Sequence, residues 1–233
     1  MIIYFDLDDT LFDESAFCLS AYSEVAAHLS YEYGRDFSYL PWLMSDALRR
    51  RENPFDRVEA ELRRLYPEKK SVDVRRLVEI YRNHCPESLP LPEASRRALD
   101  GLRRRGIILG LITDGRKLTQ RNKLKALGLY QYFAPENILI SEEAGGDKTS
   151  DVMFRKAMER HPGENMIYVG DNTSKDFRQP NLLGWTTFCL RHLRPMVHPQ
   201  DFNTAAPDAP AYIITSLPEL LLYIPKDIST PSS

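Results

Sequence analysis

After Met1 the chain runs Ile2-Ile3-Tyr4-Phe5-Asp6-Leu7-Asp8-Asp9-Thr10: an unbroken apolar run, then three carboxylates within four positions. A strand with one solvated face alternates apolar and polar residues. An unbroken run is instead the pattern of a strand covered on both faces, as in a parallel sheet. Similar runs recur at 107–112, 138–140, 166–169, 186–190 and 212–214. Segments with helical period and helical punctuation lie between them. Pro92 stands near the start of one, and Gly106 follows its Arg103-Arg104-Arg105 end. The next, 118–127, stops at Gly128, and Thr149 or Ser150 can cap a third that carries Phe154, Ala157 and Met158 inward. Strand and helix alternating at this spacing predict an α/β fold with a doubly wound, mostly parallel sheet.

The interval 14–90 breaks the alternation and reads as four helices. Ala16, Leu19, Tyr22, Ala26 and Leu29 form the first apolar stripe, and Leu40, Leu43, Met44, Ala47 and Leu48 the second. Asn53-Pro54 is a cap with a first-turn proline, opening Phe55, Val58, Leu62 and Leu65; Ser71 can cap the last, with Leu77, Val78, Ile80 and Tyr81. The expected organisation is an α/β core of residues 1–13 plus 91–225, a helical insert over 14–90, and a polar, frayed tail over 226–233. Residues 191–210, rich in Pro, His and Asn, read as a surface loop.

Composition narrows the function. The 233 residues suffice for a sizeable core, and 31 basic against 33 acidic side chains leave a formal charge of −2, too balanced for a polyanion-binding protein. The insert carries 12 basic and 13 acidic residues, so it is no phosphate-backbone arm. Cys18, Cys85 and Cys189 are widely spaced and odd in number, which argues against a disulfide scaffold or a cysteine-built zinc site. The longest apolar stretch is far short of the roughly 20 residues that cross a bilayer. Met1 leads straight into the first strand without a basic n-region. A cytoplasmic protein, monomer or homodimer, without nucleic-acid or membrane partners is the expectation.

Ligands of open α/β sheets bind beyond the carboxyl ends of the strands, so the residues that follow each strand carry the chemistry. They are Asp6-Leu7-Asp8-Asp9-Thr10, Thr113-Asp114-Gly115, Gly145-Gly146-Asp147-Lys148, and Gly170-Asp171-Asn172 with Asp176 five positions after Asp171. Carboxylates crowded on one rim raise each other's pKa unless a cation neutralises them. An oxygen-only donor set without His or Cys points to a hard ion, Mg²⁺ being the common choice. Lys148, Thr113 and the backbone N–H groups of the Asp114-Gly115 turn are the donors a phosphoryl group requires. A carboxylate beside such a group can attack phosphorus.

In these motifs the chain resembles the haloacid dehalogenase superfamily, whose four signatures occur in order as Asp6-x-Asp8-x-Thr10, Thr113, Lys148, and Gly170-Asp171 with Asp176. The resemblance covers nearly the whole chain, because the family also carries a helical cap in the 14–90 interval, and it implies a Rossmann-like core. It implies that Asp6 is nucleophile and metal ligand, and that Asp8 is general acid then base, with its backbone carbonyl on the metal. It further implies that Asp171 completes a Mg²⁺ site supported by Asp176, that Lys148 neutralises Asp6 and the phosphate, and that Thr113 binds the phosphate. The expected activity is hydrolysis of a small phosphomonoester, a sugar phosphate or nucleotide, through an aspartyl-phosphate. The family's dehalogenases lack an acid–base Asp two positions after the nucleophile, and its sugar phosphomutases tend to have glycine and valine after the second Asp, where this chain has Asp9-Thr10. Thr149 follows Lys148 where many relatives have proline. The stretch Thr113-Asp114-Gly115…Gln120…Lys123-Leu124…Leu127-Gly128-Leu129 resembles the branch acting on small sugar and nucleotide phosphates.

A sugar phosphomutase would share this rim, and a phospho-acceptor switch would share its Asp, Thr, Lys and Mg²⁺ without turning over. Gly145-Gly146-Asp147-Lys148-Thr149 suggests a P-loop but has Glu142 where the first glycine belongs and Asp147 before the lysine. His192 and His198 read as solvated loop residues, Arg49-Arg50-Arg51 as a solvated helix end rather than an anion contact, and Asp13 and Glu14 as hinge residues or solvated. Tyr22, Tyr39 and Trp42 read as core more readily than as substrate contacts.

Overall fold

The computed structural model describes residues 1–68, 73–194 and 198–225. Ser71 and the 226–233 tail lie outside the described residues. Strands β1 (Ile2–Phe5), β2 (Ile108–Thr113), β3 (Ile138–Ile140), β4 (Met166–Gly170), β5 (Thr186–Leu190) and β6 (Tyr212–Ile214) form one sheet in the order β3-β2-β1-β4-β5-β6. Every pair is parallel. The α/β reading of the unbroken apolar runs is borne out.

The register explains why these runs need no polar face. Side chains alternate across a strand, so Ile3 and Phe5 enter a core with Leu99, Leu102 and Leu124, while Ile2 and Tyr4 enter another with Met153, Phe154, Tyr168 and Trp185. Both faces are dry, and each fully buried large apolar side chain contributes about 1.5–3 kcal/mol. Gly110 notches the run because Tyr4 lies across it: a Cβ there would sit 2.3 Å from Tyr4 Cε1.

Between β1 and the remaining strands stand α1 (Glu14–Tyr33), α2 (Leu40–Arg49), α3 (Pro54–Leu65) and α4 (Val74–Asn83). They share an apolar core of their own, with Val25, Leu29, Phe37, Leu40, Met44, Val58, Leu62 and Leu77 buried in it. Asn53 caps α3 as expected, its Oδ1 accepting from Phe55 N at 3.0 Å. The first stripe is rotated from expectation. Phe17, Cys18, Ala21, Tyr22, Val25, Ala26 and Leu29 are buried, whereas Leu19 is half exposed. Phe17 and Ala21 join the sheet's core beside Phe5 and Leu7, so the first turns of α1 face the sheet and turn Leu19 outward. The last helix of the group is capped by Asp73, whose Oδ1 accepts from Arg76 N.

Helices α5 (Glu93–Arg104) and α6 (Lys117–Ala126) follow, then the one-turn α7 (Ser141–Ala144), α8 (Val152–Arg160), α9 (Arg178–Leu182) and α10 (Leu220–Tyr223). Thr149 and Ser150 do not cap α8. Both turn back onto Asp147, Thr149 N and Oγ1 donating to its Oδ1 and Ser150 Oγ to its backbone carbonyl, so the helix starts after Asp151. Its inward residues are Met153, Phe154 and Ala157, and Met158 is exposed.

Candidate active site

The strand order reverses direction between β1 and β4, which creates the crevice where open α/β sheets bind ligands. Asp6 follows β1, Thr113 ends β2 and Asp171 follows β4, so the first, second and fourth strands deliver their side chains to one rim. They line a cavity of about 200 Å³ together with Asp8, Asp9, Glu14, Asp114, Lys148, Lys175 and His198.

Lys148 is the centre of charge. Its Nζ lies 2.7 Å from Asp6 Oδ2 and 2.6 Å from Asp176 Oδ1, with all three side chains buried. Burial alone favours the neutral amine, but Asp176 and Asp6 outweigh it and hold the Lys148 pKa well above the usual lysine value. Burial pushes the Asp6 carboxyl well above the usual range; Lys148 pulls it back, and Asp176 and Asp171 push it up again. Asp6 Oδ1 accepts from Leu7 N at 2.8 Å.

Asp171, Asp176 and Asp6 can place one carboxylate oxygen each within 4.8 Å of one another. Asp176 Oδ2 accepts from the backbone N–H groups of Asp171 and Asn172 at 3.1 and 2.9 Å, which folds the loop after β4 around it. Gly170 is required there, since a Cβ would stand 2.4 Å from Asp176 Oδ2. Thr10 Oγ1 donates to Asp171 Oδ1 at 3.2 Å and ties the loop after β1 to the loop after β4.

The Asp8 carboxylate points elsewhere. Lys123 Nζ donates to its Oδ1 at 2.7 Å and Gln120 Nε2 to its Oδ2 at 2.9 Å. Burial is the main influence raising the Asp8 pKa, Glu14 adds to it, and Lys123 opposes both. Gln120 also donates to Thr113 Oγ1 at 2.7 Å. Asp114 works through its side chain: Oδ1 accepts from Lys148 N at 3.0 Å, and Oδ2 pairs with Lys175 Nζ at 2.8 Å. The Gly115 N–H donates to Ser141 Oγ at 2.9 Å, so it serves the loop around α7.

Several rim residues had no local sequence signal. His192 is half-buried, its Nε2 2.7 Å from Asp9 O and 3.7 Å from Asp171 Oδ2, and the Asp171 contact raises its pKa. That corrects its reading as a solvated loop residue: His192 and Gln200 both reach the rim, Gln200 Nε2 donating to Asp171 O and Leu190 O. His198 is exposed but lines the cavity. Lys175 stands out only once the fold brings it to Asp114, and Gln120 and Lys123, which the sequence marks only through the resemblance, gain a role once the fold brings them to Asp8. Asp13 caps α1 by accepting from Ser15 N. Arg49 and Arg50 are exposed and pair with Asp46, Trp42 is exposed, and Tyr22 is core.

A family model described as haloacid dehalogenase-like hydrolase matches residues 3–184. The chain belongs to the haloacid dehalogenase-like hydrolases. Among its relatives, glyceraldehyde 3-phosphate phosphatase of Pyrococcus furiosus is 28% identical, with 94% of this chain and 91% of that protein covered. Ribulose-1,5-bisphosphate 5-phosphatase of Halopiger xanaduensis is 27% identical over 79% of this hydrolase and 82% of that protein. The fold is similar to a magnesium-bound HAD-hydrolase of Bacillus subtilis, with a TM-score of 0.65 at 22% identity and 95% and 97% of the two chains covered. No helix among the described residues is long and apolar enough to cross a membrane.

Proposed function

We propose that this hydrolase is a phosphatase of small phosphomonoesters, sugar phosphates above all, with Asp6 as nucleophile. The observation that carries the reading is the Asp6–Lys148–Asp176 cluster, Lys148 bridging the two carboxylates at 2.7 and 2.6 Å, with Asp6 and Lys148 lining a polar cavity and Asp176 buried behind them. A buried carboxylate with an ammonium beside it is both a nucleophile and half of a phosphate site. The names of the relatives, phosphatases of three- and five-carbon sugar phosphates, support the substrate class.

The donor set fits a hard divalent cation. Three buried carboxylates able to bring one oxygen each within 4.8 Å of one another carry more negative charge than Lys148 neutralises, and they offer oxygen only. Asp6, Asp171 and the Asp8 backbone carbonyl would hold Mg²⁺, with Asp176 supporting the loop. Bound there, the cation supplies charge neutralisation for the phosphoryl group and its developing negative charge.

The residues then divide the work. Lys148 and Thr113 orient the phosphate, and the Asp114 carboxylate fixes Lys148 through its backbone N–H. An Asp6 carboxylate oxygen attacks phosphorus in line as the bond from phosphorus to the substrate oxygen breaks, and Asp8 gives that oxygen its proton. Asp8, now a carboxylate, takes a proton from water as the water attacks phosphorus. The Asp6–phosphorus bond breaks, releasing phosphate and regenerating both carboxyl groups. Residues 14–90 act as a cap that opens for substrate and closes to exclude water. The test is phosphate release, with Mg²⁺, from a panel of glyceraldehyde 3-phosphate, ribulose 1,5-bisphosphate, other sugar phosphates and nucleoside monophosphates. We expect turnover on sugar phosphates that Asp6→Asn abolishes; an Asp6→Asn protein working at the wild-type rate overturns the reading.

A further inference from the structure

Lys123 is 2% exposed on the inward face of α6, and the reaction above does not use it. A buried ammonium is costly unless it is paired, so its surroundings are informative. Nζ lies 2.7 Å from Asp8 Oδ1 and 2.8 Å from Glu14 Oε1, with the Phe17 ring centroid 4.9 Å away and that of Phe12 at 5.9 Å. One ammonium therefore joins the loop after β1 to Glu14, the first residue of α1 and so of the helical insert.

Asp8 needs such a clamp. It stands on an irregular loop, and the next residue, Asp9, has φ 55°. Asp8 itself lies in neither a named strand nor a helix, so its side chain depends on donors from elsewhere. Gln120 and Lys123, three positions apart on one helix, share a face and take one carboxylate oxygen each, at 2.9 and 2.7 Å. Two separate donors on two oxygens fix the plane of a carboxyl group as well as its position.

We propose that Lys123 is a positioning residue that holds the Asp8 carboxyl for proton delivery to the leaving group, and that through Glu14 it ties this geometry to the seating of the helical insert. The inference rests on Asp8 being the general acid. Poor leaving groups need that proton and good ones do not, so losing the clamp is felt in proportion to leaving-group basicity. A residue that merely stabilised the fold would lower all rates alike.

The test measures kcat/KM, which reports the steps up to departure of the alcohol, for aryl phosphates from p-nitrophenyl to phenyl and for the best alkyl substrate of the panel. Lys123→Met is expected to stay near wild type on p-nitrophenyl phosphate and to lose on the order of 10²-fold on the alkyl ester. Lys123→Arg, which keeps a cationic donor, should recover part of that loss. Glu14→Gln leaves the Asp8 clamp in place, so it should keep the wild-type leaving-group dependence and raise KM. An equal loss across the series, or none, for a Lys123→Met protein that melts as a folded chain overturns the positioning role. An unchanged KM for Glu14→Gln overturns the tie to the insert. If the Met variant does not fold, Lys123→Gln carries the same prediction. Asp6→Asn in the same assay separates the two readings: activity there defeats the proposed mechanism with Asp6 as nucleophile, whereas an inactive Asp6→Asn with a uniform Lys123→Met loss defeats this inference alone.

Discussion

Lys148 decides how much of the rim can exist. Among the described residues its ammonium is the one cation paired with both Asp6 and Asp176, both buried with it. Lys148→Met leaves two buried carboxylates facing each other, a loss of about 3–5 kcal/mol. Urea melts in the absence of divalent cation should show it. A second prediction concerns pH. The Asp8 pKa is raised, chiefly by burial and then by Glu14, so its protonated form survives above the usual carboxylate range of about 4. Protonation of the leaving oxygen requires that form. The kcat/KM of an alkyl ester therefore falls as pH rises through the raised value, and this limb is expected to vanish for p-nitrophenyl phosphate, whose leaving group departs without a proton. An alkyl-ester profile whose fall begins in the ordinary carboxylate range contradicts the raised value. Residues of this kind were legible when they followed a strand: Asp6, Thr113, Lys148 and Asp171 all sit where the sheet ends deliver them. Lys175 and His192 were not, because their partners lie far along the chain and their own neighbourhoods read as ordinary polar loop; Gln120 and Lys123 were marked by the resemblance alone, and their contacts with Asp8 became visible only in the fold.

Elements were read well where burial is complete on both faces. The six strands match the apolar runs, and β1, β3 and β4, buried along their whole length, show why: a parallel strand covered on both sides leaves no room for a second pattern. Helices were read less well where a stripe serves two cores. The first turns of α1 pack on the sheet and its later turns on α2–α4, so no single 3.6-residue stripe describes it and Leu19 was misassigned. The start of α8 was misread because Asp147 captures Thr149 and Ser150 in a turn of its own, competing with the cap. Capping chemistry was legible where a proline fixes the start, as at Asn53-Pro54. Asn53→Ala removes the Oδ1 acceptor of Phe55 N and should cost about 1 kcal/mol in chemical denaturation while leaving kcat unchanged. A kcat loss comparable to that of a rim variant would mean that α3 reaches the substrate.

At the scale of the whole molecule, a sheet that reverses its winding between β1 and β4 opens one crevice, and the loops after β1, β2, β3 and β4 fill it with carboxylates around Lys148. The near-neutral total of 31 basic and 33 acidic side chains conceals this local excess. The helical insert leaves the core after the loop that follows β1, and the chain returns at Leu89 and Leu91, which are buried in the sheet's core. The central claim is that all of this serves phosphoryl transfer to one side chain. It is tested most directly by quenching the enzyme in acid during turnover with Mg²⁺ and a substrate of the panel, then mapping the phosphoryl group by peptide mass analysis. The account predicts a phosphoryl group on the peptide carrying Asp6, absent from Asp6→Asn; turnover with no phosphoryl group on that peptide, or with one on a different side chain, would contradict it.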